Sequence, residues 1–159
     1  MRTSNLPSTA AFVSGLLTAI GAETVYDTTV TIQFCINGKM GTARTAVTDG
    51  ATPTTDGDGN ALDTLTASKG CVIVWCVKID GTVKIFQGPV RDLDSSGAFK
   101  VAPDFPTIDL DTYCPFAYQV LKASSSAGTI TFGSSNWNAT GFTNVIQNVS
   151  TLPPRPQIA

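Results

Sequence analysis

The chain has 159 residues, of which 42% are hydrophobic and only 14% are charged, and its formal net charge is −2. This length predicts one domain, or one domain with arms. Soluble domains average about 25% charged residues, so Thr, Ser, Asn and Gly are expected to cover much of this surface. Lys and Arg are scattered singly. Nucleic-acid binding is therefore not expected, because it needs a basic stripe or patch.

Histidine is absent from the sequence. This excludes Ser-His-Asp and Cys-His nucleophile pairs and every metal site that needs a histidine ligand. Most aspartates stand beside Gly, Ser, Thr or Pro, which are the usual neighbours of a turn residue. Solvated turn aspartates are therefore favoured over an aspartate-based hydrolase, which would need two carboxylates at a fixed separation. We expect no catalytic residue and no cofactor.

Residues 1–23 form an N-terminal segment without charge from Thr3 to Ala22. Its large apolar residues recur with helical spacing: Phe12, Val13, Leu16, Leu17 and Ile20. This spacing predicts a helix over residues 8–21, which packs either on its own domain or on a neighbouring subunit. The apolar run of about 14 residues is too short to span a bilayer as a helix, so no membrane partner is expected.

Two β-hairpins are predicted between residues 29 and 90. In "TVTIQFCINGKMGTART" the apolar residues alternate, and Asn37-Gly38 suits a two-residue turn. The alternation places one set of side chains on one face: Val30, Ile32, Phe34 and Ile36. In "GCVIVWCVKIDGTVKIFQGPV" the turn is Asp80-Gly81. The continuous apolar run from Val72 to Val77 predicts a strand that is covered on both faces.

Further strands are predicted in "CPFAYQVLKAS", "GTITFGSS" and "FTNVIQNVSTL", and long loops at residues 48–70 and 92–113. The predicted fold is mainly β, an antiparallel sandwich or barrel built from hairpins, with one short N-terminal helix and an extended C-terminal arm. The predicted organisation is an N-terminal helical segment (1–23), a β-domain (24–150) and the arm (151–159).

The four cysteines are Cys35, Cys71, Cys76 and Cys114, and none of them forms a C-x-x-C motif. Zinc ribbons and thioredoxin-like redox motifs are therefore not supported. Cys71 and Cys76 lie in one predicted strand and point to opposite faces, so they cannot bridge each other. Buried free thiols are favoured, although the even count also allows a cross-strand disulfide.

Residues 56–63, "DGDGNALD", space Asp56, Asp58, Asn60 and Asp63 like the oxygen ligands of a calcium loop. The sixth and twelfth positions of the EF-hand pattern, which require Gly and Glu, are Ala61 and Ala67. The bidentate ligand is missing, so we expect a mobile acidic loop and no required metal site.

Trp137 lies between two asparagines in "SSNWNATG". An exposed Trp with amide neighbours can stack on a sugar ring. The favoured alternative is a Trp folded over the end of the sheet, with its indole N–H bonded to a turn carbonyl.

The C-terminal "TLPPRPQIA" has three prolines within four positions, which predicts a stiff polyproline II arm. Such an arm lies either on its own domain or on a neighbour. We predict that this arm or the N-terminal segment forms a subunit interface. Its candidate residues are Phe12, Leu16, Leu17, Ile20, Leu152, Pro153, Pro154, Arg155 and Pro156.

Three blocks in this order, "CVIVWCVKIDGTVKIFQGPV", "YCPFAYQVLKAS" and "TFGSSNWNATGFTNVIQNVSTLPPRPQ", resemble small structural proteins of tailed bacteriophages. The resemblance covers about residues 70–157 and consists of similar blocks without a diagnostic motif. It implies a virion protein made in the bacterial host cytoplasm, most plausibly a capsid decoration (cement) protein, with a tail or fibre-base component as the alternative. The implied partners are copies of itself, as a homotrimer, and the major capsid protein. A carbohydrate- or calcium-binding β-sandwich module is the rival interpretation.

Overall fold

The structure is a computed structural model that describes residues 9–12 and 24–157. These residues contain ten β-strands and no helix. In chain order the strands are β1 (Ala10–Ala11), β2 (Val25–Thr28), β3 (Phe34–Ile36), β4 (Lys39–Met40), β5 (Val47–Ala51), β6 (Lys69–Lys78), β7 (Val83–Gln87), β8 (Arg91–Asp92), β9 (Tyr113–Ala123) and β10 (Phe142–Asn148). All strand pairs are antiparallel, which confirms the predicted mainly β, antiparallel fold.

The largest sheet has the strand order β10-β9-β6-β7, and the short β8 pairs with one end of β6. Its two long central strands are buried along almost their whole length. Both sequences are continuous apolar runs, as expected for strands that are covered on both faces. The prediction that Val72–Val77 is covered on both faces is therefore confirmed.

The two faces of this sheet carry two separate apolar clusters. The first cluster combines Trp75 and Leu121 with residues from outside the sheet, such as Phe34 and Trp137. The second combines Val74 and Tyr118 with side chains of the 99–108 loop and the C-terminal arm. Alternate residues of one strand thus enter different clusters, as the period-two geometry of a strand requires.

Two smaller sheets, β1-β3-β4 and β2-β5, supply residues to the first cluster. The β3–β4 turn places Asn37 and Gly38 at φ 51° and 71°, and the β6–β7 turn places Gly81 at φ 84°. Asn and Gly tolerate this left-handed region best, so both predicted hairpins are confirmed. Ile32, Phe34 and Ile36 are buried as expected, whereas Val30, which precedes the strand, is exposed.

The helix predicted over residues 8–21 is not supported. Within the described residues Ala10–Ala11 is a strand, because Phe12 N–H donates to Gln33 O at 2.8 Å and Ala10 pairs with Cys35. The remainder of that prediction, residues 13–21, lies outside the described residues. No helix in the described part of the chain is long and apolar enough to cross a membrane.

The strand predicted over residues 128–135 is also wrong. Only Ile130 makes a bridge, to Leu65, and Thr131 O then accepts hydrogen bonds from Ser134 N–H and Ser135 N–H in a turn. Gly133 follows at φ 76°. The alternation of Ile130 and Phe132 reflects two side chains inserted into the first cluster, and not an extended strand.

Candidate functional site

The large sheet has two outer strands, β7 and β10, and the chain covers only one of them with described residues. Residues 55–63 form a small hairpin on β7. Gly57 N–H donates to Ile85 O at 3.1 Å, and the side chain of Gln87 accepts from Asp63 N–H at 2.7 Å and donates to Asp63 O at 3.0 Å. β7 also carries Lys84, and charged side chains are a common protection of sheet edges.

The same hairpin contains the candidate calcium loop. The carboxylate of Asp56 accepts hydrogen bonds from Asp58 N–H, Asn60 N–H and the Asn60 side-chain amide at 2.7–2.9 Å. Burial alone would raise the pKa of Asp56, but these hydrogen bonds hold it below its usual value. Among the described residues, no group of three or more Cys, Asp or Glu side chains is placed to hold a metal ion. The carboxylate stabilises its own turn, and the loop is docked on β7, contrary to the expectation of a mobile loop.

On β10, alternate residues bond to β9. Ser124 N–H donates to Gly141 O at 2.8 Å, and Val149 N–H donates to Phe116 O at 2.9 Å. The register between these two bonds is unbroken. Because hydrogen-bonded pairs alternate along an antiparallel ladder, the odd-numbered residues of β10 bond to β9. The even-numbered residues direct their backbone N–H and C=O groups away from the sheet.

This outward side of β10 is the candidate assembly surface. In the described parts of the chain, no strand pairs with it, and no backbone hydrogen bond to the outward groups of Asn144 or Ile146 is present. At the end of the strand, Ala11 N–H donates to Ser150 O at 3.0 Å, so β1 meets the edge there. Phe12 follows with 54% of its surface exposed.

β10 and the segments on either side of it in the sequence contain no charged residue. No Asp, Glu, Lys or Arg occurs between residues 123 and 154. β10 also lacks proline and has no bulge in its pairing with β9. Natural edge strands are usually protected by charge, proline, a bulge or a covering segment, and no described residue covers the outward backbone groups of Asn144 and Ile146 in this way.

A row of polar side chains crosses the sheet toward this edge. Trp75 Nε1–H on β6 donates to Gln119 Oε1 on β9 at 2.9 Å, and Gln119 is fully buried. The opposite end of that amide, Nε2, has no partner among the described residues, and neither has the buried Oδ1 of Asn144 on β10. In the β9–β10 register, Asn144 is diagonal to Gln119 on the same face. The first apolar cluster therefore contains an unsatisfied donor and an unsatisfied acceptor beside the uncovered edge.

The C-terminal arm lies on the second face of the sheet. Leu152 packs against the second cluster, and Gln157 N–H donates to the hydroxyl of Tyr118 at 3.0 Å. Pro154 and Arg155 between them are exposed. The described arm thus contacts its own domain while presenting an exposed bend.

Trp137 is 3% exposed and contacts the rings of Trp75 and Phe132. Its indole N–H donates to Val25 O at 3.1 Å. The buried interpretation is confirmed, with the acceptor in strand β2 in place of a turn. A buried indole offers no face to a sugar ring.

All four cysteines are buried, and none of them forms a disulfide bond. Cys71 belongs to the first cluster and Cys76 to the second, which confirms that they point to opposite faces. Burial raises the pKa of Cys71 to about 11 and that of Cys114 to about 12. These thiols are weak nucleophiles at neutral pH, because the thiolate is the reactive form.

Asp80 and Asp94 accept hydrogen bonds within their own turns, as the sequence predicts. Hydrogen bonds from Thr82 hold the pKa of Asp80 below its usual value, and hydrogen bonds from Ser96 and Ala98 do the same for Asp94. A general acid at neutral pH needs a shift in the opposite direction. These carboxylates therefore have the properties of structural turn residues.

The nine residues predicted to form an interface belong to the two ends of the chain, and six of them are among the described residues. Phe12 lies near the end of β10, whereas Leu152 and Pro153 lie half-buried on the arm. Leu16, Leu17 and Ile20 lie outside the described residues. Sequence reasoning missed the edge of β10. The signal that could have found it was the long absence of charge after Lys122.

Comparisons of the chain with protein-family models, with curated proteins and with solved structures found no match.

Proposed function

We propose that the protein is a non-enzymatic structural protein of a bacteriophage virion that decorates or cements the capsid shell. The observation that carries the proposal is the ordered resemblance of the blocks within residues 70–157 to such proteins. The alternative within this class is a tail or fibre-base component. The proposed location is the virion, after synthesis in the host cytoplasm, and the free, buried thiols are consistent with a reducing compartment.

Two physical features support a role in assembly. The outward side of β10 is uncharged, so another protein can approach it without removing water from charged groups. The arm presents Pro154 and Arg155 on an already ordered backbone. Prior ordering lowers the entropy cost of forming a contact. The proposed partners are copies of the chain and the major capsid protein.

We further infer that the sheets pack as a two-layer sandwich on the side of the first cluster. Trp75 and Leu121 come from the large sheet, and Tyr26 and Phe34 come from β2 and β3 of the small sheets. A single apolar cluster shared by facing sheets is what a sandwich requires.

The carbohydrate- and calcium-binding rival is less favoured. Trp137 is buried, and the carboxylate of Asp56 is engaged by its own loop. Both residues on which that interpretation depends therefore have structural roles.

The test is to find the protein in particles. The genes beside the coding sequence are read first, because neighbouring capsid, portal and terminase genes would support the proposal. Virions of that genome are then purified and analysed by mass spectrometry and by immunogold labelling. Labelled shells would support decoration, and labelled tails would favour the alternative. Purified virions that lack the protein would overturn the proposal.

A further inference from the structure

We infer that a second copy of this chain pairs with β10, so that two large sheets join edge to edge through antiparallel strands. The inference rests on the proposed structural role, since it names one partner and one surface for that assembly. It concerns the outward backbone groups of Asn144 and Ile146.

The two edges of the large sheet differ in whether described residues cover their outward backbone groups. At β7, the backbone group of Ile85 that points outward is bonded to Gly57 N–H, and Gln87 holds the backbone of Asp63. The fold therefore covers one edge with its own chain. At β10, the outward groups of Asn144 and Ile146 have no such cover from described residues.

The outward backbone groups of β10 are complementary to those of the same strand in a second copy of the chain. Outward N–H and C=O groups on an antiparallel edge match an identical strand that runs in the opposite direction. About a two-fold axis residue i faces residue j and residue j faces residue i, so an edge with charges of one sign would repel a second copy of itself. β10 carries no charge, and the chain remains uncharged from residue 123 to residue 154.

The side-chain amide of Asn144, on the edge strand, lacks a hydrogen-bond partner for its oxygen among the described residues. Asn144 Oδ1 is buried and has no partner among the described residues. A buried polar atom that has no hydrogen-bond partner destabilises a fold. In an antiparallel pair formed about the middle of β10, the even-numbered side chains of the second copy continue the same face of the sheet, next to Asn144.

Two-fold pairing closes as a dimer, whereas the three-fold oligomer implied by the resemblance would need a different contact. Two other occupants of the edge are outcomes of the test. One is residues 13–23 of the same chain, which follow Phe12, and the other is a different protein.

The experiment measures mass and backbone amide exchange on the purified full-length chain over a range of concentrations. We expect a monomer of 16.6 kDa at low concentration and a dimer at high concentration. The amides of Asn144 and Ile146 should become protected from exchange as the dimer forms. The amides of Val145 and Gln147, which bond to β9, should be protected at every concentration.

A variant tests the same surface by charge. Thr143→Lys with Gln147→Lys places like charges on both strands of the pair, and we expect the dissociation constant to rise by at least about tenfold. The matched control is Thr48→Lys with Ala51→Lys, which adds the same charge to exposed positions of β5 and should leave association unchanged.

Three results would overturn the inference. The first is a monomer at all concentrations whose Asn144 and Ile146 amides exchange freely. The second is a monomer in which these amides are always protected, which would mean that the chain covers its own edge. The third is an oligomer in which they stay unprotected. A protein found in virions with any of these results would retain the proposed function and lose only this interface.

Discussion

Cys71 shows how burial changes the chemistry of a single residue. It lies in the first cluster, fully buried, beside the side chain of Gln87. Burial penalises the thiolate, which raises the pKa of this thiol from 9.0 to about 11. Below pH 9 the thiol is protonated in both the folded and the unfolded chain, so its titration does not affect stability there.

Above pH 9 only the unfolded chain releases this proton, so the free energy of unfolding should fall as the pH rises toward 11. The loss from Cys71 alone is at most about 3 kcal/mol, from roughly 1.4 kcal/mol per pKa unit. Urea unfolding of the native chain and of Cys71→Ala at pH 8 and pH 10.5 measures it. We expect the variant to lose less stability between the two pH values. An equal loss in both proteins would contradict the assignment.

Elements were predictable from the sequence where the pattern was local. Asn37-Gly38 and Asp80-Gly81 specify their turns by chemistry, and the run Val72–Val77 specifies a fully buried strand. Residues 10–11 and 128–135 were misassigned because tertiary pairing decides their structure. Residues 10–11 pair with residues 34–35 and bond to Ser150, and Ile130 pairs with Leu65, so all of these partners are distant in sequence.

The docking of residues 55–63 on β7 could not be predicted either, since it depends on a glycine that fits beside an aromatic ring. A Cβ added at Gly57 would overlap the ring of Phe86. That ring packs edge-on against Tyr113, with centroids 4.8 Å apart, so it has little room to move. The Tyr113 hydroxyl also donates to Gly57 O at 2.8 Å.

Gly57→Ala should therefore destabilise the fold by about 1–3 kcal/mol, the usual cost of overpacking. Gly128→Ala is the matched control, because a Cβ there meets nothing within 4 Å. Chemical denaturation of both variants measures the difference. If the two variants were equally stable, detachment of residues 55–63 from β7 would not lower the free energy of unfolding.

At the scale of the whole molecule, the large sheet is stabilised by apolar side chains on both faces, and the arm belongs to one of these clusters. Leu152 joins the second cluster together with Val149 and Phe105. The arm was predicted from its prolines as a separate segment, and the composition gave no sign that Leu152 would anchor it. The absence of charge after Lys122 marked the candidate edge only indirectly, because the direction of the backbone groups depends on the register with β9.

Leu152→Ala should lower the free energy of unfolding by about 1–2 kcal/mol, less than for a fully buried leucine, because Leu152 is half-buried. Arg155→Ala, at an exposed position of the same arm, should change it by less than about 0.5 kcal/mol. Thermal or urea unfolding of the two variants gives the comparison. If Leu152→Ala matched the control, the arm would contribute nothing to its own domain.

The contact between Ala11 and Ser150 has a consequence for the synthesis of the protein. Ala11 N–H reaches its acceptor only after Ser150, 139 residues further along the chain, has left the ribosome. β9 and β10, which complete the large sheet, are also translated late. Domains commonly fold from the N-terminus as they emerge. β1 therefore has to wait for residue 150, and ribosome-bound chains that end before residue 142 should be more sensitive to protease than chains that extend past Ser150.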